Sequence, residues 1–424
     1  MSTPTSTPAV TSLWRLIPLR DFESPAEPTS EAVRSRLRDL WQRLLSPPSA
    51  LTDDEANVAT PQLNSVPEKL LNRVVPPLWA EEGQEAVEDA LRRWSSRTTS
   101  EAGIRAFVAA PFSGVAAMAI HWAKTHNYAI VKPPTIAQIL ENDREWMNQW
   151  RQNEAERLVL PWLERCYLRH HHGLDLIRRL LDWLLQTEKP CLIVCNSWAW
   201  AYLNQLYSVN AICPNPLTLA PFTAVELNRW FCKAIHTRPL RPFTFRQTND
   251  GHLVLRDAAI THPAAPSSYL KYLAARSRGN PGVAWTIWRK SLNVASNENV
   301  REAAKEEAAF DAGITFWVDA WEEVKLPLMP SDIDDVDVFV LHALLLHNGL
   351  TAHFLPELLP FSAARTMQSL QKLHALHLIE TTAESLHVHT AEHHTHSGQW
   401  RVSPHGYVSV RNYMRSEGFL TDML

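Results

Sequence analysis

The residue types that could do chemistry gather first at Ala109-Ala110-Pro111-Phe112-Ser113-Gly114-Val115-Ala116, between the apolar run Ile104 to Ala110 and a helical stretch reaching Lys124. A loop in this position grips a triphosphate when glycines let amides approach the anion, a Lys reaches the β- and γ-phosphates, and a Ser or Thr holds Mg²⁺; the pattern is G-x-x-x-x-G-K-[ST]. Here Ala109 stands at the first Gly, Gly114 at the second, Val115 at the Lys and Ala116 at the hydroxyl. Cation and metal ligand are both missing. Ser113, Gly114 and the first amides of the helix keep only a weak hold on an anion, so the loop is expected to be a sheet-to-helix turn kept for packing.

The second place is Cys191-Leu192-Ile193-Val194-Cys195, which runs into Asn196-Ser197. A magnesium-dependent phosphate site needs a carboxylate at the end of such a strand. Asn196 can take part in hydrogen bonds but carries no charge, and it can be neither metal-holding carboxylate nor base. Trp198 and Trp200 follow and are expected to fill space below the loop, with stacking on a ligand as the alternative. Cys191 and Cys195, four apart on a strand, share a face and read as small apolar residues rather than a redox pair. No G-x-S-x-G, H-E-x-x-H or C-x-x-C occurs, and no catalytic residue is assigned.

These segments need a scaffold, and the composition allows one. A chain of 424 residues with 45% hydrophobic and 20% charged residues is of ordinary globular type, and its length suggests roughly three domain-sized units. Gly is scarce, 12 residues, which leaves few positions where backbone could wrap a phosphate. The net charge of -4 gives no global field for nucleic acid or an anionic membrane. Five cysteines and no opening signal segment fit a cytoplasmic protein with reduced thiols. The most apolar stretch, Ala106 to Ile120, is broken by Pro111 and Ser113 and is too short to span a bilayer.

Residues 1–30 are rich in Ser, Thr and Pro and read as a flexible tail, although the Leu13 to Leu19 patch could dock. Helical spacing runs from Glu31 to Leu45 and again near Glu81 to Trp94. Strands are expected at Ile104 to Ala110, Tyr128 to Val131, Cys191 to Cys195 and Leu217 to Leu219. A helix-rich stretch carries Leu158, Trp162, Leu163 and Tyr167, with His170-His171-His172 on the exposed side of a helix. Strands alternating with helices imply a mainly parallel sheet in an α/β domain. Farther on, Thr223 to Lys233 is amphipathic and Phe243 to Asp257 reads as a hairpin turning at Asn249-Asp250-Gly251. Ser267 to Leu292 is mostly helical, 295–309 is a solvated helix or linker, and Ile314 to Val318 is one more strand.

After a boundary near Pro327 to Asp337 come three helical patterns, Val336 to His347, Phe354 to Leu359 and Ala363 to His374. Strand-like stretches follow at Leu376 to Thr381, Ser385 to Thr390 and Gln399 to Val402. Three helices and a hairpin make a winged-helix arrangement.

In this order the parts resemble the P-loop ATPases of AAA+/STAND type, including origin-recognition-like proteins. The resemblance rests on Phe107 to Gly114, Leu192 to Ser197, Leu217-Thr218-Leu219-Ala220-Pro221-Phe222 entering Val225-Glu226-Leu227, and Arg278-Gly279-Asn280-Pro281-Gly282-Val283-Ala284. The last is similar to the lid turn of STAND proteins, whose Pro packs near the adenine, so the resemblance makes Pro281 a nucleotide contact beside Ser113, Gly114 and Asn196. It implies a degenerate P-loop ATPase-like α/β domain with N-terminal helices at 31–222, a helical lid with a hairpin insertion at 223–310 and a winged-helix domain at 311–424. With the Lys, Ser/Thr and Asp positions replaced, what carries over is the fold. No cofactor is assigned, ATP being left as an alternative.

For the winged helix the resemblance implies DNA contact through Arg365, Gln368, Gln371 and Lys372. Charge argues the other way. Residues 331–424 hold five Lys+Arg against ten Asp+Glu, a balance of -5, whereas phosphate contacts need cations. A protein-contact module is the expectation. Eleven of the 19 histidines lie here, five of them between His387 and His396. His387 and His389 could share an ion with His394 or Glu392, but no companion cysteine supports this, and no metal site is assigned. The sequence thus reads as a non-catalytic regulatory or assembly protein that docks protein partners through its body and Trp-rich surfaces. The alternative is an ATP-dependent DNA-associated switch or DNA-binding regulator.

Overall fold

Short apolar runs buried on both faces make the centre of the fold. In the computed structural model, which describes residues 12–28, 63–75, 80–95, 103–155, 157–236, 243–256, 265–295, 314–381 and 398–424, one sheet takes β1 (Leu16–Pro18), β3 (Ile104–Ala109), β4 (Ala129–Ile130), β5 (Leu158–Leu160), β6 (Cys191–Asn196) and β7 (Leu217–Leu219). Their order is β1-β7-β3-β6-β5-β4, parallel throughout except for the antiparallel edge strand β1. All six residues of β6 and all three of β5 are buried, as expected of strands covered by helices on both sides.

Helices α1 (Gln84–Ser95), α2 (Val115–Thr125), α3 (Asp175–Gln186) and α4 (Ser197–Tyr207) accompany this sheet. From β3 the chain passes to β4 at the far edge, whereas from β6 it returns across β3 to β7. The direction of winding therefore reverses beside β3, and the carboxyl ends of β3 and β6 form the crevice where open α/β sheets bind ligands.

A second sheet, ordered β2-β9-β10-β8, joins β2 (Leu63–Ser65), β8 (Thr244–Gln247), β9 (Leu292–Ala295) and β10 (Thr315–Val318). Beside it lie α5 (Ala224–His236), α6 (Ser268–Arg276) and α7 (Pro281–Lys290). Aromatic rings bind α5 to α7: Phe231 stacks on Trp288 with centroids 4.1 Å apart, and Trp230 lies 4.8 Å from Trp285. The last unit contains α8 (Asp335–His347), β11 (Leu350–Thr351), α9 (Leu355–Leu358), α10 (Ala363–Ala375), β12 (Ile379–Thr381), β13 (Gln399–Val402) and α11 (Tyr407–Ser416), with an antiparallel sheet ordered β11-β13-β12. Asp334 caps α8 reciprocally with Asp337, and Ser362 caps α10.

The mixed α/β class with a mainly parallel sheet is the expected one, and several local features differ from the sequence reading. Leu158–Leu160 is a strand inside the stretch read as helical, because burial on both faces erases the alternation that marks a strand. His170, His171 and His172 crowd together, ring centroids 4.1 and 3.8 Å apart, in a turn before α3 rather than on a helix. The Leu13 to Leu19 patch docks: β1 closes the sheet edge against β7, and Trp14 lies 4.8 Å from Phe222.

β8 turns back through Asn249-Asp250-Gly251 to a single bridge, Arg246 to Leu253, and its main partner is β10 in parallel. β10 therefore belongs to the middle sheet, and the expected boundary at residue 310 falls inside that layer. Among the described residues eleven tryptophans are buried, so the expected Trp-rich docking surfaces are instead core. The expected helix Glu31 to Leu45, most of 295–309, the expected strand Ser385 to Thr390 and the His387 to His396 run lie outside the described residues. Among those described, no helix is long and apolar enough to cross a membrane, and all five cysteines are buried, with no disulfide among them.

Candidate functional site

The loop after β3 closes on itself. Ser113 N–H donates to Ala110 O at 3.1 Å, Pro111 takes the second turn position, and Phe112 adopts φ +68° at the third, where a turn of this kind ordinarily uses Gly. Gly114 follows at φ +80° and opens α2. The Ser113 amide, which an anion cradle would aim outward, is spent inside the turn.

Helix α7 presses on the same turn from outside. Asn280 caps α7, accepting from the N–H groups of Gly282 and Val283, and donates through Nδ2 to Pro111 O at 2.7 Å. Gly282 sits so close that a β-carbon there would lie 2.0 Å from Phe112 O. Pro281, buried at the first turn of α7, and Ser113 line one cavity with Arg278, Tyr407, Leu424 and Phe22. Its volume is about 30 Å³, room for a water and far below the roughly 300–1,000 Å³ of ligand pockets. Ser113 Oγ, buried beside it, has no partner among the described residues.

Asn196 stands opposite Ala109 across the β3–β6 ladder, and all its polar groups are engaged. Its N–H donates to Glu164 Oε2 at 3.1 Å, Oδ1 accepts from Trp198 N–H at 2.9 Å as the cap of α4, and Nδ2 donates to Leu345 O at 3.0 Å. Tyr167 Oη donates to the next carbonyl, Leu346 O, at 3.3 Å. Both acceptors belong to the last turn of α8, whose carbonyls have no partner within the helix. Asn196 therefore serves as a clasp between the sheet and the last unit.

A second clasp lies one residue on. Ser197 Oγ donates to Asp422 Oδ2, Arg411 Nε to Asp422 Oδ1 at 3.1 Å, and Tyr407 Oη to Asp422 Oδ2 at 3.4 Å, while Trp198 Nε1 donates to Tyr407 Oη at 3.1 Å. The Arg411 and Asp422 side chains are 4% and 0% exposed. Tyr407 also meets Phe112 of the loop edge-on at 5.6 Å. Burial, then the nearby Asp422 charge, holds the Tyr407 phenol well above its usual range. Burial, then Arg411, lowers the guanidinium pKa of Arg278.

Histidines on the inward face of α8 are kept neutral. His342 is pushed down to about 4 and His347 to about 3, in each case chiefly by burial. His347 Nε2 accepts from Arg169 N–H at 3.3 Å.

A nucleoside triphosphate and its magnesium ion do not fit these residues. No cation replaces the lysine at Val115, no hydroxyl stands at Ala116, Asn196 is committed to Glu164, Trp198 and Leu345, and the space at the loop is that of a water. The structure thus brings Ser113, Gly114 and Pro281 together at one turn and turns Asn196 toward α8. Sequence reasoning missed Glu164, Tyr167, Tyr407, Arg411 and Asp422, which belong to no motif and meet only because the last unit folds back onto the sheet.

On α10, Arg365, Gln368 and Gln371 are exposed. Arg365 pairs with Asp334 at 3.2 Å, and Lys372 pairs with Asp337 at 2.9 Å and Asp332 at 3.3 Å. Carboxylates beside α8 thus face both cations of the helix. Among the described residues no group of three His, Cys, Asp or Glu side chains could hold a metal ion.

No family model matches the chain, and no curated protein does. Solved structures similar to parts of it include the ORC2 protein of Aeropyrum pernix in ADPNP–ADP complexes, at 12% identity over 82% of this chain and 98% of that one, with a TM-score of 0.32. Cdc6p from Pyrobaculum aerophilum follows at 10% identity over 82% and 99%, TM-score 0.34. Aeropyrum pernix ORC1 in complex with DNA stands at 12% identity over 84% and 97%, TM-score 0.35. At these scores the likeness carries no argument about function, and the α/β assignment stands on the chain's own sheet.

Proposed function

We propose that the chain is a non-catalytic, ATPase-shaped regulatory or assembly protein that binds protein partners through its P-loop-like body and its C-terminal winged helix. One observation carries this reading: the crevice at the ends of β3 and β6 is filled by the chain's own last unit, through Asn196 to Leu345 and Ser197 to Asp422. Replacement of the phosphate-gripping residues and occupation of their space support each other. A fluorescence titration with an ATP analogue, with and without Mg²⁺, tests it. No saturable magnesium-dependent binding is expected, and micromolar binding that requires magnesium overturns it.

The second reading, a DNA-associated regulator, has in its favour the exposed face of α10 with Arg365, Gln368 and Gln371. Against it stand the carboxylate partners of Arg365 and Lys372, which a phosphate would have to displace. An electrophoretic shift series in salt decides between them. The proposal expects no complex even at low salt, whereas a shifted band that weakens steeply as salt rises favours DNA.

A further inference from the structure

A larger cavity, about 490 Å³, opens between the sheet domain and the last unit, away from the phosphate loop. Its volume falls within the range of small-molecule sites, which favour such boundaries between units. The walls are apolar: Pro134, Ile136, Ile139 and Leu168 from one side, Leu350 and Phe354 from the other. Among them stand a few polar groups, and their state indicates the charge of a ligand. Glu164 has both oxygens engaged, by Asn196 N–H at 3.1 Å and Asn348 Nδ2 at 3.4 Å. Arg165 makes no ion pair among the described residues, and its guanidinium is held 5.3 Å over the Trp162 ring. Thr351 lines the cavity as well, and its hydroxyl has no partner among the described residues.

We infer that this cavity is a binding site for an amphipathic organic acid, with the carboxylate at Arg165 and the apolar body against Ile139, Leu168, Leu350 and Phe354. Among the described residues Arg165 is the only Lys or Arg lining the cavity, which makes it the group to meet an anion, and guanidinium to carboxylate is among the stronger charge-assisted pairs. Because the ligand touches both units, its binding stabilises their docked arrangement by mass action. The inference is independent of whether the phosphate loop binds nucleotide.

Calorimetric titration of the full chain with octanoate and with 3-phenylpropanoate tests it, octan-1-ol and octylamine serving as controls. Saturable one-to-one binding of at least one acid is expected, at least tenfold tighter than the alcohol or the amine. R165Q should bring the acid down to the level of the alcohol, R165K should restore part of the difference, and A137W, at the mouth, should weaken every ligand. Absence of saturable binding by both acids, an amine bound as tightly as the acids, or acid binding indifferent to R165Q overturns the inference. Since Arg165 also stacks on Trp162, a melting curve accompanies each variant. If R165Q does not fold, the ratio of acid to alcohol affinity in the unaltered chain decides.

Discussion

Asn196 occupies the end of a central strand where a metal-holding carboxylate would stand, and its amide performs work a carboxylate cannot. Nδ2 donates to Leu345 O, whereas an aspartate has no donor to offer and would place a charge beside Glu164 and the negative end of α8. Asn196→Asp is therefore expected to cost about 2 kcal/mol or more, since a buried carbonyl left unsatisfied costs about 1–3 kcal/mol by itself, and to confer no ATP turnover. Urea unfolding and a phosphate-release assay check both parts. Asp422 gives a second residue-level expectation. Asp422→Ala strands Arg411 in the interior and should lose about 3–5 kcal/mol, while an Arg411→Met, Asp422→Leu pair should recover most of it, because breaking a buried ion pair is far worse than replacing it whole. The absence of a charge at Val115 and Asn196 and of a hydroxyl at Ala116 was legible in the sequence. That Asn196 is a clasp was not, since its partner lies 149 residues away.

Among the elements, the contact between α7 and the loop after β3 depends on a missing side chain. A β-carbon at Gly282 would meet the Phe112 carbonyl at 2.0 Å, so Gly282→Ala must push α7 off the turn. A loss of about 1–3 kcal/mol, the usual cost of overpacking, is expected in thermal unfolding. Gly103 makes the control: a β-carbon there would meet nothing within 4 Å, yet the backbone lies at φ +60°, so its change to Ala would report only the conformational cost. A helix with a capping residue and an apolar stripe, such as α10 after Ser362, can be placed from sequence because cap and periodicity are local. Helix α8 is apolar almost all round and can be placed from its cap at Asp334 and the length of its apolar run. β5 cannot, because a three-residue buried strand has no period to read. The residues of β10 mark it as a strand but not which layer it joins, since pairing partners follow from the fold and not from the strand's own residues.

Across the whole molecule, neutral histidines at and near the junction make docking depend on pH. His342 is held down to about 4, and His347 and His405 to about 3, by burial first of all. Their folded values lie below the unfolded value near 6.5. The unfolded chain therefore takes up protons first as pH falls, and stability that is present above pH 6.5 is lost progressively below it. Each histidine contributes about 1.4 kcal/mol per pH unit, or about 4 kcal/mol per unit for the three together near pH 5. Urea unfolding from pH 7.5 to 5 should show that slope, and His347→Gln, which can still accept from Arg169 N–H, should reduce it by about one third. A slope unchanged by that substitution would refute the assignment of His347. What the sequence determined by itself is the α/β class, the central strands β3, β6 and β7, and the missing phosphate-gripping charges, because periodicity, caps and residue type act over a few neighbouring positions. Only the tertiary structure decided that the last unit folds into the crevice through Tyr407, Arg411 and Asp422 and leaves a separate cavity at Arg165, because those contacts join residues far apart in the chain whose partners no local pattern specifies.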